Sequence, residues 1–183
     1  MLKEALIIIA SFLIGSIPFA YLIGRLKGID IRKVGTKNIG AYNVWKQVHP
    51  IAGVIVAILD AAKGSFPIWL AQSQGLSSTN VFIAGFFAVL GHCCTPFLRG
   101  KGGRGQATSF GTLLLLFPRE VASAVLIWLV TYGLWKKFTW AYLIADAALI
   151  LLLWPDYTQI GYVLALTALL LFTHRANLKG KLK

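Results

Sequence analysis

Acidic side chains are almost missing from this chain. Six Asp and Glu stand against 18 Lys and Arg over 183 residues. None of the six clusters with histidine at ligand spacing, so no metal centre is expected. Cysteine is as scarce: Cys93 and Cys94 are the only two. Neighbours within one apolar run suit neither an ordinary disulfide nor a shared tetrahedral metal, and His92 beside them does not complete a ligand set, so they are read as packing. Ten-residue stretches of alternating apolar and polar side chains are also lacking, which excludes a membrane β-barrel. No Gly-x-Ser-x-Gly elbow occurs, and no G-x-x-x-x-G-K-[ST] phosphate loop. GKGGRG at 100–105 fits G-x-G-x-x-G, but it follows an apolar span with no βαβ unit around it, so the dinucleotide reading fails.

What the chain has in quantity is apolar sequence, 57% of it, with a mean hydropathy of +0.73. One soluble core of this size does not need so much. Apolar runs fall at 2–23, 51–71, 81–98, 107–117, 119–135, 138–154 and 157–173, most of them near the ~20 residues that cross ~30 Å of hydrocarbon. The expected fold is an all-α integral membrane protein, a seven-span helical bundle with short or broken helices around an inner-facing site, in a single domain over 1–183. The 107–117 run is too short to cross alone unless the bilayer thins or the helix extends into the glycines before it. The first run is longer than a signal-peptide core and holds Gly15, Ser16 and Pro18 without a small-x-small cleavage pattern, so it is read as a retained span.

Cations set the orientation, because short outer loops are kept poor in Lys and Arg. With the N-terminus outside and seven crossings, the inner side holds Arg25, Lys27, Arg32, Lys33, Lys37, Lys46, Arg99, Lys101, Arg104, Lys136, Lys137, Arg175, Lys179, Lys181 and Lys183. Lys3 and Arg119 remain outside and Lys63 lies within a span. The outer loops Gln72–Asn80 and Pro155–Gln159 carry no cation. Attraction to anionic lipid accounts for the Lys-rich tail; it does not explain why other cations are mixed with glycine, asparagine and threonine.

Those mixtures form three polar islands. The first inner loop, Gly24 to Pro50, combines glycines at 28, 35 and 40 with Thr36, Asn38 and Asn43. The second, RGKGGRGQAT at Arg99–Thr108, places side-chain-free backbone beside Arg99, Lys101 and Arg104, a composition suited to aiming several N–H groups at a phosphate. The third begins at His174, with Asn177 three residues on and on the same helix face. Within spans, Asp60 and Lys63 have the same three-residue spacing; unpaired charges there are costly, so they should pair with each other or with a substrate. His49, before Pro50, is read as a boundary residue.

Acyltransferases with a histidine base commonly place an aspartate five residues later. Here those positions are Val54, Phe97 and Lys179, so that class is disfavoured. A cation-lined inner pocket for two phosphates, with few groups for acid–base work, fits a substrate that is already activated.

Over essentially its whole length the chain resembles the bacterial membrane acyltransferases of the PlsY type, which move a fatty acyl group from acyl phosphate to glycerol 3-phosphate. The segments that carry the likeness are GSIPFAYLIGRLKGIDIRKVGTKNIGAYNV, LDAAKG at 59–64, GHCCTPFLRGKGGRGQATSFGTLL at 91–114 and HRANLKG at 174–180, in matching order and spacing. The resemblance implies seven spans, a cytoplasmic active site and C-terminus in the bacterial plasma membrane, and lysophosphatidic acid as product. Its expected partners are acyl phosphate, glycerol 3-phosphate and membrane lipid, with no nucleic acid, cofactor or metal. It assigns the glycine loop (Lys101, Gly102, Gly103, Gly105, Thr108) with Arg104 to phosphate binding. Thr36, Asn38, Gly40, Asn43 and Lys46 fall to glycerol phosphate and transition-state contacts, and His174 with Asn177 to orienting the hydroxyl or carbonyl. Asp60, Lys63 and His92 are supporting residues. The chain departs from the family pattern at Thr36, Lys37, Tyr42, Lys46, Arg104, Gln106 and Gly180, and it ends before the usual G-x-E glutamate. Two readings compete with the enzyme: an organic-phosphate carrier, against which the outer loops offer no second half-site, and a non-catalytic lipid-binding paralogue.

Overall fold

A computed structural model describes residues 1–136 and 138–178, with the side chains of 138, 139 and 176–178 left out. The described residues form helices α1 (Leu2–Gly15), α2 (Phe19–Leu26), α3 (Ala41–Gln47), α4 (Pro50–Ser73), α5 (Ser78–Cys93), α6 (Gln106–Leu116), α7 (Pro118–Trp135), α8 (Phe138–Leu152) and α9 (Tyr157–Leu178), with a 3₁₀ turn at Pro96–Leu98. No strand occurs among them. Among the described residues four segments are long and apolar enough to cross a membrane: Leu2–Leu26, Pro50–Ser73, Ser78–Leu98 and Tyr157–Arg175. Each expected apolar run has a helical counterpart.

Two local findings differ from the sequence expectations. The first span is two helices, not one: Pro18 has no N–H to continue the ladder, and the chain breaks over Ser16–Pro18. Carbonyls freed inside a membrane need partners. Ser16 O receives the Thr95 hydroxyl at 2.6 Å and Ile17 O receives the Lys63 ammonium at 2.7 Å. The first inner loop, in turn, contains helix α3, which lies against α4 where Gly53 has no side chain to keep Trp45 away. His49 caps α4, its Nδ1 accepting from Ile51 N at 3.2 Å, and Pro50 takes the first-turn position that suits it.

Small residues let the bundle close without a strong hydrophobic drive between helices. A methyl on Gly15 or Gly91 would overlap the facing α5 or α1 backbone, and one on Gly64 or Gly111 would overlap the α6 or α4 backbone. Across the second contact Ser65 donates to Gly111 O at 2.8 Å. Helix α6 is 11 residues long, about 16 Å. It does not extend into the glycines: Gly105 stands at its N-cap with φ 89°. Deeper in the bundle, buried Asp146 on α8 accepts a hydrogen bond from Thr167 on α9, which gives that acid a partner the sequence did not reveal.

Candidate active site

Two turns of backbone build the glycine loop. Beyond the 3₁₀ turn, Arg99 (φ 56°) and Gly100 (φ 76°) take left-handed conformations and reverse the chain toward the end of α5. There the loop's amides are consumed. Gly100 N donates to Thr95 O (2.9 Å), Lys101 N to Leu98 O (3.2 Å), Gly102 N to Cys93 O (3.0 Å) and Gly103 N to His92 O (3.0 Å). The expectation that the amides of Gly102 and Gly103 cradle a phosphate is therefore corrected. These glycines are needed for close approach: a methyl on Gly102 would strike the His92 and Cys93 carbonyls, and one on Gly103 would strike the His92 ring and Ile39 O.

Charge at the loop comes from its side chains. Lys101 is exposed and Arg104 half-buried; burial lowers the Arg104 pKa, yet a guanidinium remains a cation at neutral pH. Thr108 is fully buried where α6 meets Gly64 of α4. Among the described residues its hydroxyl has no hydrogen-bond partner there.

The first inner loop is organised by one side chain. Asn43, 1% exposed, accepts from Thr36 N (3.1 Å) and offers its amide to Ile31 O (3.0 Å), Val34 O (3.2 Å) and Asn38 O (3.0 Å). Both ends are committed to backbone, so the side chain shapes the loop that was expected to bind substrate. Asn43→Leu should leave Thr36 N, Ile31 O and Asn38 O without partners, Val34 O keeping Lys37 N at 3.0 Å, and cost about 2–4 kcal/mol; a thermal melt in detergent within a degree of wild type would contradict this. Held by Asn43, the loop presents Thr36, Lys37 (φ 58°) and part of Asn38 to solvent, with Gly40 extended at the N-cap of α3 and Lys46 exposed on that helix. Nearby, the Arg32 guanidinium bonds Asp30 at 2.8 and 2.9 Å and holds its carboxyl well below the usual carboxylate range.

Asp60 and Lys63 pair with each other at 2.8 Å, each side chain 3% exposed. His92 Nδ1 lies 3.6 Å from the same carboxylate oxygen, too long for a hydrogen bond. The three residues line a small half-open cleft with Phe19, Ile39, Thr95 and Gly103. At the far side of the glycine loop, Thr173 on α9 donates to Arg104 O at 2.9 Å. His174 follows, its Nδ1 2.8 Å from Leu170 O. A carbonyl only accepts, so Nδ1 carries a proton, and in the neutral ring Nε2 is the nitrogen with the lone pair. Gln106, Tyr142, Leu170 and Leu171 join His174 around a second, mainly apolar cavity. Asn177 lies on the same helix, its side chain outside the described residues.

The loop thus gathers the three polar islands: Ile39 packs against Gly103 from the first, and Thr173, next to the start of the third, grips Arg104. Residues that sequence reasoning missed are the linkers Thr95 and Thr173, whose hydroxyls reach backbone carbonyls, and Ile39, which acts through its own carbonyl.

A broken-helix membrane bundle with cations, a half-buried arginine and a histidine collected at one glycine loop defines a membrane enzyme for phosphorylated lipid precursors. The profile of the family described as glycerol-3-phosphate acyltransferase matches residues 5–183. The glycerol-3-phosphate acyltransferase of Geotalea daltonii is 36% identical over 182 residues, covering 98% of this chain and 94% of that one. The Methylobacillus flagellatus protein of the same name is 37% identical, covering 97% and 93%. A crystal structure of PlsY (YgiH), an integral membrane glycerol 3-phosphate acyltransferase in its glycerol 3-phosphate form, superposes with a TM-score of 0.88 at 31% identity, over 97% of this chain and 90% of that one. Its lysophosphatidic acid form gives 0.87 at 30% identity, with the same coverage. The chain belongs to the glycerol-3-phosphate acyltransferase family and is an integral membrane acyltransferase.

Proposed function

We propose that this chain transfers a fatty acyl group from acyl phosphate to the sn-1 hydroxyl of glycerol 3-phosphate. The supporting observation is the convergence on the glycine loop: two cationic side chains, the first inner loop and the histidine-bearing end of α9 all meet there. Acyl phosphate is a mixed anhydride and needs no covalent acyl-enzyme. The glycerol hydroxyl attacks the carbonyl carbon, an ester C–O bond forms, and the carbonyl–phosphate C–O bond breaks. Inorganic phosphate departs with the hydroxyl proton. The protein contributes position and charge. Arg104 and Lys101 hold phosphate oxygens. Thr36, Asn38 and Lys46 receive glycerol 3-phosphate. His174, through Nε2, and Asn177 orient the hydroxyl or the carbonyl. The acyl chain lies between spans, with its tail in lipid.

Purified protein should form lysophosphatidic acid from acyl phosphate and glycerol 3-phosphate with chelator present. Equal use of acyl-CoA, or dependence on a divalent ion, would contradict the donor; absence of turnover with a well-folded protein would favour the lipid-binding alternative. Arg104→Gln should cost roughly 1.5–3 kcal/mol, about ten- to a hundredfold in kcat/KM, and unchanged kinetics would remove Arg104 from the site.

The site faces the cytoplasm in this reading, with the N-terminus outside. A cysteine in place of Ser77 should react with an impermeant thiol reagent in intact cells, whereas one in place of Lys37 should not; the reverse pattern ends the inner-site assignment.

A further inference from the structure

We propose that His92 is a positioning residue for the glycerol 3-phosphate site, holding Gly103 from two directions and held in turn by the Asp60–Lys63 pair. This rests on the assignment of the glycine loop to that substrate. From the first direction, the His92 carbonyl accepts the Gly103 N–H at 3.0 Å. From the second, its ring stands against Gly103 so closely that a methyl there would overlap Nε2. The same methyl would also overlap Ile39 O, at 2.5 Å. Gly103 thus packs against both the His92 ring and the first inner loop.

The ring's other edge faces the buried ion pair. Its side chain is 6% exposed, and Nδ1 faces Asp60 Oδ1, the oxygen that also takes the Lys63 ammonium. Lys63 is anchored on Ile17 O in the break between α1 and α2. A run of contacts therefore leads from the broken first span through Lys63, Asp60 and His92 to the loop that carries Lys101 and Arg104. An apolar side chain would fill this buried place at lower desolvation cost. A ring with a nitrogen at each end can face the carboxylate and the glycine together, which no apolar residue of that size does.

The variants His92→Asn and His92→Gln separate the two contacts. Asn keeps a polar group near the Nδ1 position but empties the half of the site that faces Gly103; Gln reaches further toward it. If His92 positions the loop, His92→Asn should raise the KM for glycerol 3-phosphate about tenfold or more, while kcat and the KM for acyl phosphate stay within about threefold. His92→Gln should recover most of that loss. The cost of Gly103→Ala should also shrink in the His92→Asn background, a coupling that independent sites lack. Wild-type KM values in folded His92→Asn overturn the proposal. So does a loss spread evenly over both substrates that follows thermal stability and that Gln does not relieve. Should His92→Asn not fold, His92→Gln alone decides by whether its KM for glycerol 3-phosphate moves selectively. Wild-type protein without turnover would overturn the functional reading instead, and direct binding of glycerol 3-phosphate to the same variants then tests the positioning role separately.

Discussion

Gly103→Ala should reduce kcat/KM for glycerol 3-phosphate by about a hundredfold or more, with net charge and span composition unchanged. The added methyl has no space. It meets both the His92 ring and Ile39 O, one a buried side chain beside Asp60, the other backbone. Packed interiors do not yield such room without moving a neighbour. Relief by displacement of Ile39 moves the first inner loop; relief by displacement of His92 disturbs its contact with Asp60. Either shift carries Arg104, one residue on, away from its place. Gly161→Ala is the control, because a methyl there meets nothing within 4 Å and alanine suits a helix better than glycine. Steady-state kinetics of both variants in detergent check the expectation. Full activity in Gly103→Ala would show that the contact is soft and that the loop does not shape the site.

Lys63→Met should destabilise the protein by about 3–5 kcal/mol. Its ammonium serves two buried acceptors, Asp60 at 2.8 Å and Ile17 O at 2.7 Å. Removing it leaves a carboxylate without its cation inside the bundle and leaves the broken-helix carbonyl with Phe19 N, at 3.1 Å, in place of two donors. Asp60→Leu in the same chain should recover a substantial part of the loss, since removing both charges is far cheaper than stranding one. Differential melting in detergent or chaotrope titration would measure both. A single variant as stable as wild type, or a double variant no better than the single, would mean that the pair is not what secures the break. The sequence spacing of Asp60 and Lys63 left two partners open, each other or a substrate. The structure settles on the first, and it adds the carbonyl at Ile17, which spacing could not disclose.

How legible the site was follows from the kind of atom involved. Arg104 and Lys101 stood out because they are interleaved with glycine, and His174 with Asn177 through the family resemblance. What Asn43 bonds could not be read in the same way. A polar side chain beside a glycine-rich motif looks the same in sequence whether it faces substrate or bonds its own loop. Only the positions of Ile31, Val34, Thr36 and Asn38 around Asn43 distinguish the two. The glycines were recognised correctly as sites of close approach, but what approaches them is protein: α5 carbonyls, the His92 ring and Ile39.

From the sequence alone came the all-helical membrane class, the limits of each apolar segment and the concentration of cations around a glycine loop. These depend on one-dimensional quantities: hydropathy summed over a span length, and charge tallied segment by segment. The tertiary structure alone decided that the first span breaks at Ser16–Pro18 and that Lys63 and Thr95 satisfy the carbonyls this frees. It alone decided that the amides of Gly102 and Gly103 are used by α5, and that His92 and Ile39 enclose Gly103. Each of these joins a backbone atom to a group far away in sequence. A backbone carbonyl is chemically the same at every residue, so nothing in the order of side chains marks which one will be left without its helical partner, or what will reach it.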